Sequence, residues 1–196
     1  MKRVPVIVFT YALLFLSVGS VALMYAAYKP VYESEEAAQT VDRPLAEMVR
    51  GLGAEEALAL ANEWGTDMKG VESFVTTTEV SFRFEDGKEI DILLPEDRMV
   101  VAVAPYVDET HPCTIHHMSG CQGELVETHL KVLATGADGS VILDAEMTTM
   151  ANGFVEFWLP RDKEIQLTLE AFNKRVEGVI TTYTDSKTCI TTLQLL

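Results

Sequence analysis

The order of apolar and polar positions takes three characters along the chain, and each predicts a different kind of element. From Val4 to Tyr28 there is neither charge nor period, only 25 uncharged residues between Arg3 and Lys29. As a helix, such a run is long enough to cross a hydrocarbon core of roughly 30 Å. From Leu45 the period becomes helical: Leu45, Met48, Val49 and Leu52 fall on one apolar stripe, at i, i+3, i+4 and i+7. Asp42 is its candidate N-cap and Pro44 lies in its first turn, while Gly51 and Gly53 interrupt it. Ala57, Leu60, Ala61 and Trp64 form a second stripe on a helix from Ala54 to about Trp64. Glu55 and Glu56 sit at the positive end of its dipole. The two stripes predict a helical hairpin.

Beyond Gly70 the period falls to two. Val80, Phe82 and Phe84 alternate with Ser81 and Arg83, and Ile90, Ile92 and Leu94 follow the turn Asp86-Gly87. Met99 to Ala104 is continuously apolar, as a buried strand is, and Pro105 closes it. Alternation resumes at His129 to Val132, then come the turn Asp138-Gly139 and a strand near Val141 to Leu143. Asn152-Gly153 predicts a hairpin joining Ala145–Met150 to Phe154–Leu159. Ile165, Leu167 and Leu169 mark another strand, and a final pair is expected at about Val176–Tyr183 and Cys189–Leu195. The predicted fold class is α+β: an N-terminal helical hairpin with short β-hairpin strands, followed by a C-terminal antiparallel β-sandwich-like domain. The expected divisions are 1–29 (signal peptide or N-terminal membrane anchor), 30–41 (acidic tether), 42–108 (α+β part) and 109–196 (metal-binding segment and sandwich).

Charge adds direction to this outline. Lys2 and Arg3 precede the apolar run, whereas Glu33, Glu35 and Glu36 follow it. That asymmetry predicts an N-terminus in the cytoplasm and an extracytoplasmic remainder. Cleavage at Ser20-Val21-Ala22 would release the protein; without cleavage, residues 4–28 would tether it to the membrane, and both outcomes stay open. The net charge is −15, and because Lys2, Arg3 and Lys29 are the only charges up to residue 29, the remainder carries −18. Such a surface excludes nucleic acid as a partner, since phosphate binding rests on Lys and Arg.

Within this acidic chain the metal-binding side chains are concentrated. His111, Cys113, His116, His117, Met118 and Cys121 fall within eleven residues, and the third cysteine, Cys189, lies far away. Soft thiolate and thioether ligands select Cu(I), with Zn²⁺ competing for thiolates. Three sulfurs would make a low-coordinate site suited to Cu(I), whereas structural zinc takes four ligands. Three cysteines in an exported protein leave one thiol over whichever pair is oxidised. A stapling Cys113–Cys121 or Cys121–Cys189 disulfide is therefore the alternative. It would make the chain a non-catalytic extracytoplasmic β-sandwich interaction module. His116 and His117 read equally well as solvated loop residues, and Met118 as a packing residue. The sequence holds no G-x-S-x-G, H-E-x-x-H or Gly-rich phosphate loop, so enzymatic hydrolysis has no motif behind it.

The segments Thr110-His111-Pro112-Cys113-Thr114-Ile115-His116 and Cys121-Gln122-Gly123-Glu124-Leu125 resemble the signature of the CueP family of periplasmic copper-binding proteins. So do Ala151-Asn152-Gly153-Phe154, Trp158-Leu159-Pro160-Arg161-Asp162-Lys163 and Asp185-Ser186-Lys187-Thr188-Cys189-Ile190-Thr191-Thr192. The resemblance runs from about Leu45 to the C-terminus and is strongest after Pro105. It implies a two-part exported protein that binds copper, protects the envelope and hands metal to envelope cuproenzymes. The family's three functional cysteines fall on Cys113, Cys121 and Cys189. His116 carries over as a further ligand, and His117, Met118 and His111 as neighbours. The expected partners are copper ions, a cuproenzyme recipient, the membrane if the leader is retained, and a second copy in a homodimer. Thiol-dependent reduction of Cu(II) is the one redox chemistry this reading suggests.

Overall fold

The computed structural model describes residues 44–196. The expected leader or anchor, the acidic tether and the Asp42 cap lie outside the described residues. No helix among the described residues is long and apolar enough to cross a membrane. The chain divides after Met48, and Val49–Leu196 forms one compact unit.

Two helices stand near the expected positions, α1 (Leu45–Val49) and α2 (Ala54–Trp64). Glu56 caps α2 by accepting the Gly53 N–H at 2.9 Å, which satisfies one of the amides a helix start leaves unpaired. Ala57, Leu58, Ala61 and Trp64 are its buried side chains. Leu58 thus takes part of the place expected for Leu60, which is half-buried. The edge of the Trp64 ring meets Phe82, with centroids 5.8 Å apart, a favourable arrangement for aromatic quadrupoles.

The rest is β-rich and mainly antiparallel. β1 (Val71–Val75), β2 (Glu79–Phe84) and β3 (Glu89–Leu93) form one three-stranded sheet in that order. The β2–β3 hairpin follows the expected alternation, with Phe82 opposite Ile90. β4 (Arg98–Val103) lies at the centre of a second sheet, between β7 (Val155–Pro160) and the two-residue β10 (Cys189–Ile190). Every residue from Met99 to Ala104 is buried, as a continuous apolar run requires of a strand covered on both faces. The third sheet orders β6 (Val141–Thr148), β5 (His129–Gly136), β8 (Glu164–Ala171) and β9 (Lys174–Thr181) side by side. Leu130, Val132, Ile165, Leu167 and Leu169 supply its buried face. Burying each such side chain stabilises the fold by about 1.5–3 kcal/mol.

Two expected pairings are corrected. Val141–Thr148 is one continuous strand, and the strand after Asn152-Gly153 does not fold back on it. Gly153 does turn the chain, at φ +77°, and Met150 N–H bonds Phe154 O at 2.7 Å. The turn nevertheless delivers β7 to β4, with Val100 opposite Trp158. A turn dipeptide fixes local dihedrals, whereas pairing is decided by which sheet buries the strand. Likewise the segments at 176–183 and 189–195 do not pair together. Cys189 runs parallel to β4 instead, opposite Ala102. The second sheet therefore draws β4 from before residue 109 and β7 and β10 from after it.

Candidate metal centre

The segment from Pro105 to Thr128 has little regular structure, so its backbone groups need partners elsewhere. The C-terminal stretch supplies many of them. Tyr106 and Leu195 exchange backbone bonds with this stretch: Tyr106 N–H to Leu193 O at 3.1 Å, and Leu195 N–H to Tyr106 O at 2.8 Å. Thr110 Oγ1 donates to Thr191 O at 2.5 Å, and Thr191 Oγ1 donates to His111 O at 2.6 Å. The Glu124 carboxylate accepts the N–H groups of Val107, Asp108 and Glu109. Those bonds, the one from Val107 foremost, hold its carboxyl below the usual range. Glu124 therefore ties down the loop's own backbone.

Thr188 and Gly123 then set the depth of the cysteines. Thr188 Oγ1 donates to Val75 O at 2.7 Å and accepts the His116 N–H at 3.1 Å. Val75 N–H bonds His116 O at 2.9 Å. Cys189 N–H reaches Thr114 O at 3.2 Å. Gly123 meets Gly153 backbone to backbone, and a Cβ on Gly153 would lie 2.5 Å from Gly123 O. Cys113, Cys121 and Met150 pack on a small buried cluster of Ala102, Ala104, Phe154 and Cys189.

Here the three cysteines converge. Cys113 and Cys189 form a disulfide, their Cα atoms 5.6 Å apart and 76 residues apart in sequence. Neither pairing weighed from the sequence, Cys113–Cys121 or Cys121–Cys189, is the one formed. The reason is topological: β10 presents Cys189 beside the start of the loop, so Cys113 meets it across the Thr114–Thr188 backbone contacts. Cys121 is the free thiol, and its Sγ lies 3.6 Å from Cys113 Sγ. His116, Cys121 and Cys189 each offer a ligand atom within 4.8 Å of the others, and so do His111, Cys113 and Cys121.

His116 is completely buried, with its ring 4.5 Å from that of Phe154. Its Nε2 lies 3.3 Å from Oε1 of Glu156 on β7, whose side chain is 10% exposed. Burial disfavours the imidazolium, but the neighbouring Cys121 sulfur and Glu156 carboxylate outweigh it and raise the His116 pKa. Burial likewise disfavours the Cys121 thiolate. The His116 ring and the His117 N–H, 3.4 Å from Sγ, outweigh that and lower the thiol pKa. His117 itself turns outward, with Nδ1 3.3 Å from Glu72 and its ring against Phe74. Met118 is buried and lines a groove with Met150 and Asn62. Sequence reasoning missed Glu156 and Asn62. The one signal was Glu156 itself, the only charge in the strand Val-Glu-Phe-Trp-Leu-Pro.

A β-rich unit that gathers three sulfurs and a buried imidazole at the meeting of a loop and a two-residue strand has the donor atoms to hold a metal ion. The comparisons with known proteins agree with that chemistry. The family model of the periplasmic copper-binding protein CueP matches residues 60–194, and the chain belongs to the CueP family. A solved structure described as the crystal structure of S.CueP superposes with a TM-score of 0.70 at 31% identity, covering 77% of this chain and 93% of that one. No curated protein matches the chain. Membership makes this an extracytoplasmic copper-binding protein.

Proposed function

We propose that the chain holds Cu(I) through Cys113, Cys121 and Cys189, with His116 as an imidazole contact and His111 at the rim beside Cys113 and Cys121. It serves envelope copper tolerance or delivery of copper to a cuproenzyme. The observation that carries this reading is the convergence of ligand atoms from His116, Cys121 and Cys189 within 4.8 Å. Copper is the favoured ion because three sulfurs and an imidazole form a soft set, and zinc is the competitor. Sandwich-like packing of the sheets, the helical hairpin, release by cleavage or anchoring by residues 4–28, and a homodimer belong to the same proposal.

The disulfide links ligand set to redox state. With Cys113 and Cys189 joined, only Cys121 remains as a thiol. Reduction of the disulfide consumes two electrons and two protons, which an external dithiol supplies as it is itself oxidised to a disulfide, and yields the three-thiol site. In the reverse direction, Cys113 and Cys189 each lose one proton and one electron, forming the S–S bond, and two Cu(II) ions become two Cu(I). This is the thiol-dependent copper reduction that such a pair can perform.

The same disulfide and lone thiol favour the second reading, an interaction module whose cysteines are structural. A Cu(I) titration of the reduced protein against a competing chelator separates the two. Cys113→Ser, Cys121→Ser and Cys189→Ser should each weaken binding on the copper reading. Binding indifferent to Cys189→Ser would sink the three-sulfur site.

A further inference from the structure

Behind the cysteines lies a buried polar chain that metal binding by sulfur alone does not require. It begins on α2, where Asn62 Nδ2 donates to Oε2 of Glu156 at 2.8 Å. Glu156 reaches inward from β7, and its other oxygen, Oε1, stands 3.3 Å from His116 Nε2. Both His116 ring nitrogens and Glu156 Oε1 are buried without a hydrogen bond of good geometry. A carboxylate confined in this way is costly unless it finds a donor. Among the described residues, the His116 ring is the donor within reach of Oε1, so each group answers the other's need.

We infer that Glu156, braced by Asn62, is a positioning residue for the metal centre. It takes the Nε2–H of His116, fixes the ring's orientation and tautomer, and leaves the Nδ1 lone pair as the metal-binding atom. The inference rests on the copper-site reading above. Its physical basis is general: an imidazole that binds metal through one nitrogen is held by a partner at the other. Losing that partner costs roughly 10–100-fold in metal affinity. Asn62 and Glu156 come from α2 and β7, elements that contribute none of the cysteines. The orientation of the imidazole is thereby set independently of whether the Cys113–Cys189 bond is made or broken. A ligand atom of the same ring lies within 4.8 Å of the Cys121 and Cys189 sulfurs, so a ring held by Glu156 stays in place as the sulfurs change state.

The test uses the full-length chain, reduced and loaded with Cu(I), which is diamagnetic and open to nitrogen NMR. In the parent, His116 should show a proton on Nε2 and a metal-shifted Nδ1. Glu156→Leu removes the acceptor while keeping an apolar filling of the cavity. It should lose the single tautomer and weaken Cu(I) binding roughly 10–100-fold. Glu156→Gln keeps the shape and one acceptor oxygen, guards against a folding failure of the Leu variant, and should give mixed tautomers with a smaller loss. A folded Glu156→Leu protein with the parent's tautomer and an affinity within about threefold would overturn the inference, as would metal found on Nε2 of the parent. The two readings fail separately. If Cys121→Ser leaves copper binding intact, the copper site itself is wrong. If Cys121→Ser weakens it but Glu156→Leu does not, only the role of Glu156 falls.

Discussion

Opening the Cys113–Cys189 disulfide should cost this protein a large part of its stability, and copper should restore it. The bond closes a loop across a sequence separation of 76. For a loop of that size the chain-entropy model gives about 4.5 kcal/mol at 25 °C. In a unit of this length each kcal/mol moves Tm by roughly 2–4 °C, so reduction should lower it by roughly 9–18 °C. Cu(I) at about a thousand times its Kd returns about 4.1 kcal/mol if it binds only the folded, reduced form. The reduced, metal-free protein is then the weakest of three states. Urea denaturation followed by tryptophan fluorescence measures all three, with thiol titration confirming three free thiols after reduction. The Cys113→Ser/Cys189→Ser double variant should match the reduced, metal-free protein and gain far less from Cu(I). Coincident midpoints for the oxidised and reduced metal-free forms would refute the entropic account. A reduced form that Cu(I) does not stabilise would refute the linkage.

Two further outcomes follow from the loop. Gly153→Ala sets a Cβ 2.5 Å from Gly123 O at a φ of +77°, so the Cys121-bearing turn must move. Thermal melting should show a loss of about 2 kcal/mol or more, and copper affinity should fall with it. The second concerns pH. Cys121 is the free thiol of the oxidised form and its pKa is lowered, so iodoacetamide should alkylate it with a half-point below the ordinary thiol value. His116→Gln should move that half-point up. The stabilising thiolate contribution is present above the ordinary thiol pKa and lost as pH falls through the lowered one. The His116 contribution runs the other way, complete below the ordinary imidazole value and lost as pH rises through the raised one. An alkylation profile identical in parent and His116→Gln would refute the pairing.

The strands were legible where a single face is buried. Leu130/Val132 and Ile165/Leu167/Leu169 alternate in sequence and are buried in the third sheet, because a period of two survives any choice of neighbour. Pairing was not legible for β7 and β10. Asn152-Gly153 announces a turn, yet β7 pairs with β4, a choice set by contacts more than fifty residues away. The cysteines were legible as a set because residue chemistry is local. Which two would bond was not, since that depends on the parallel placement of Cys189 opposite Ala102. Glu156 stayed hidden for a related reason. On β7 it alternates with Val155 and Phe157 as a solvent-facing residue would. Only the packing of α2 and the loop turns that face into an interior.

These same long-range contacts explain why a weakly structured loop can carry a defined site. Each cysteine is held by something other than a cysteine. Cys189 is fixed by its strand pairing with β4, and Cys113 by the backbone contacts of Thr114 with Thr188 and Cys189. Cys121 is placed by its own N–H bond to His117 O at 2.8 Å and by Gly123 N–H on Asn152 O at 2.6 Å. None of these bonds includes the disulfide, so the thiols released on reduction should remain neighbours and need no search to enclose an ion. That preorganisation is what a copper-holding role requires. Binding energy then goes into sulfur–metal contacts and is not consumed in ordering the loop. If amide hydrogen exchange showed Thr114 to Cys121 becoming unprotected on reduction before any metal is added, the sulfurs would have to be gathered by the ion. The disulfide would then be the element holding the loop.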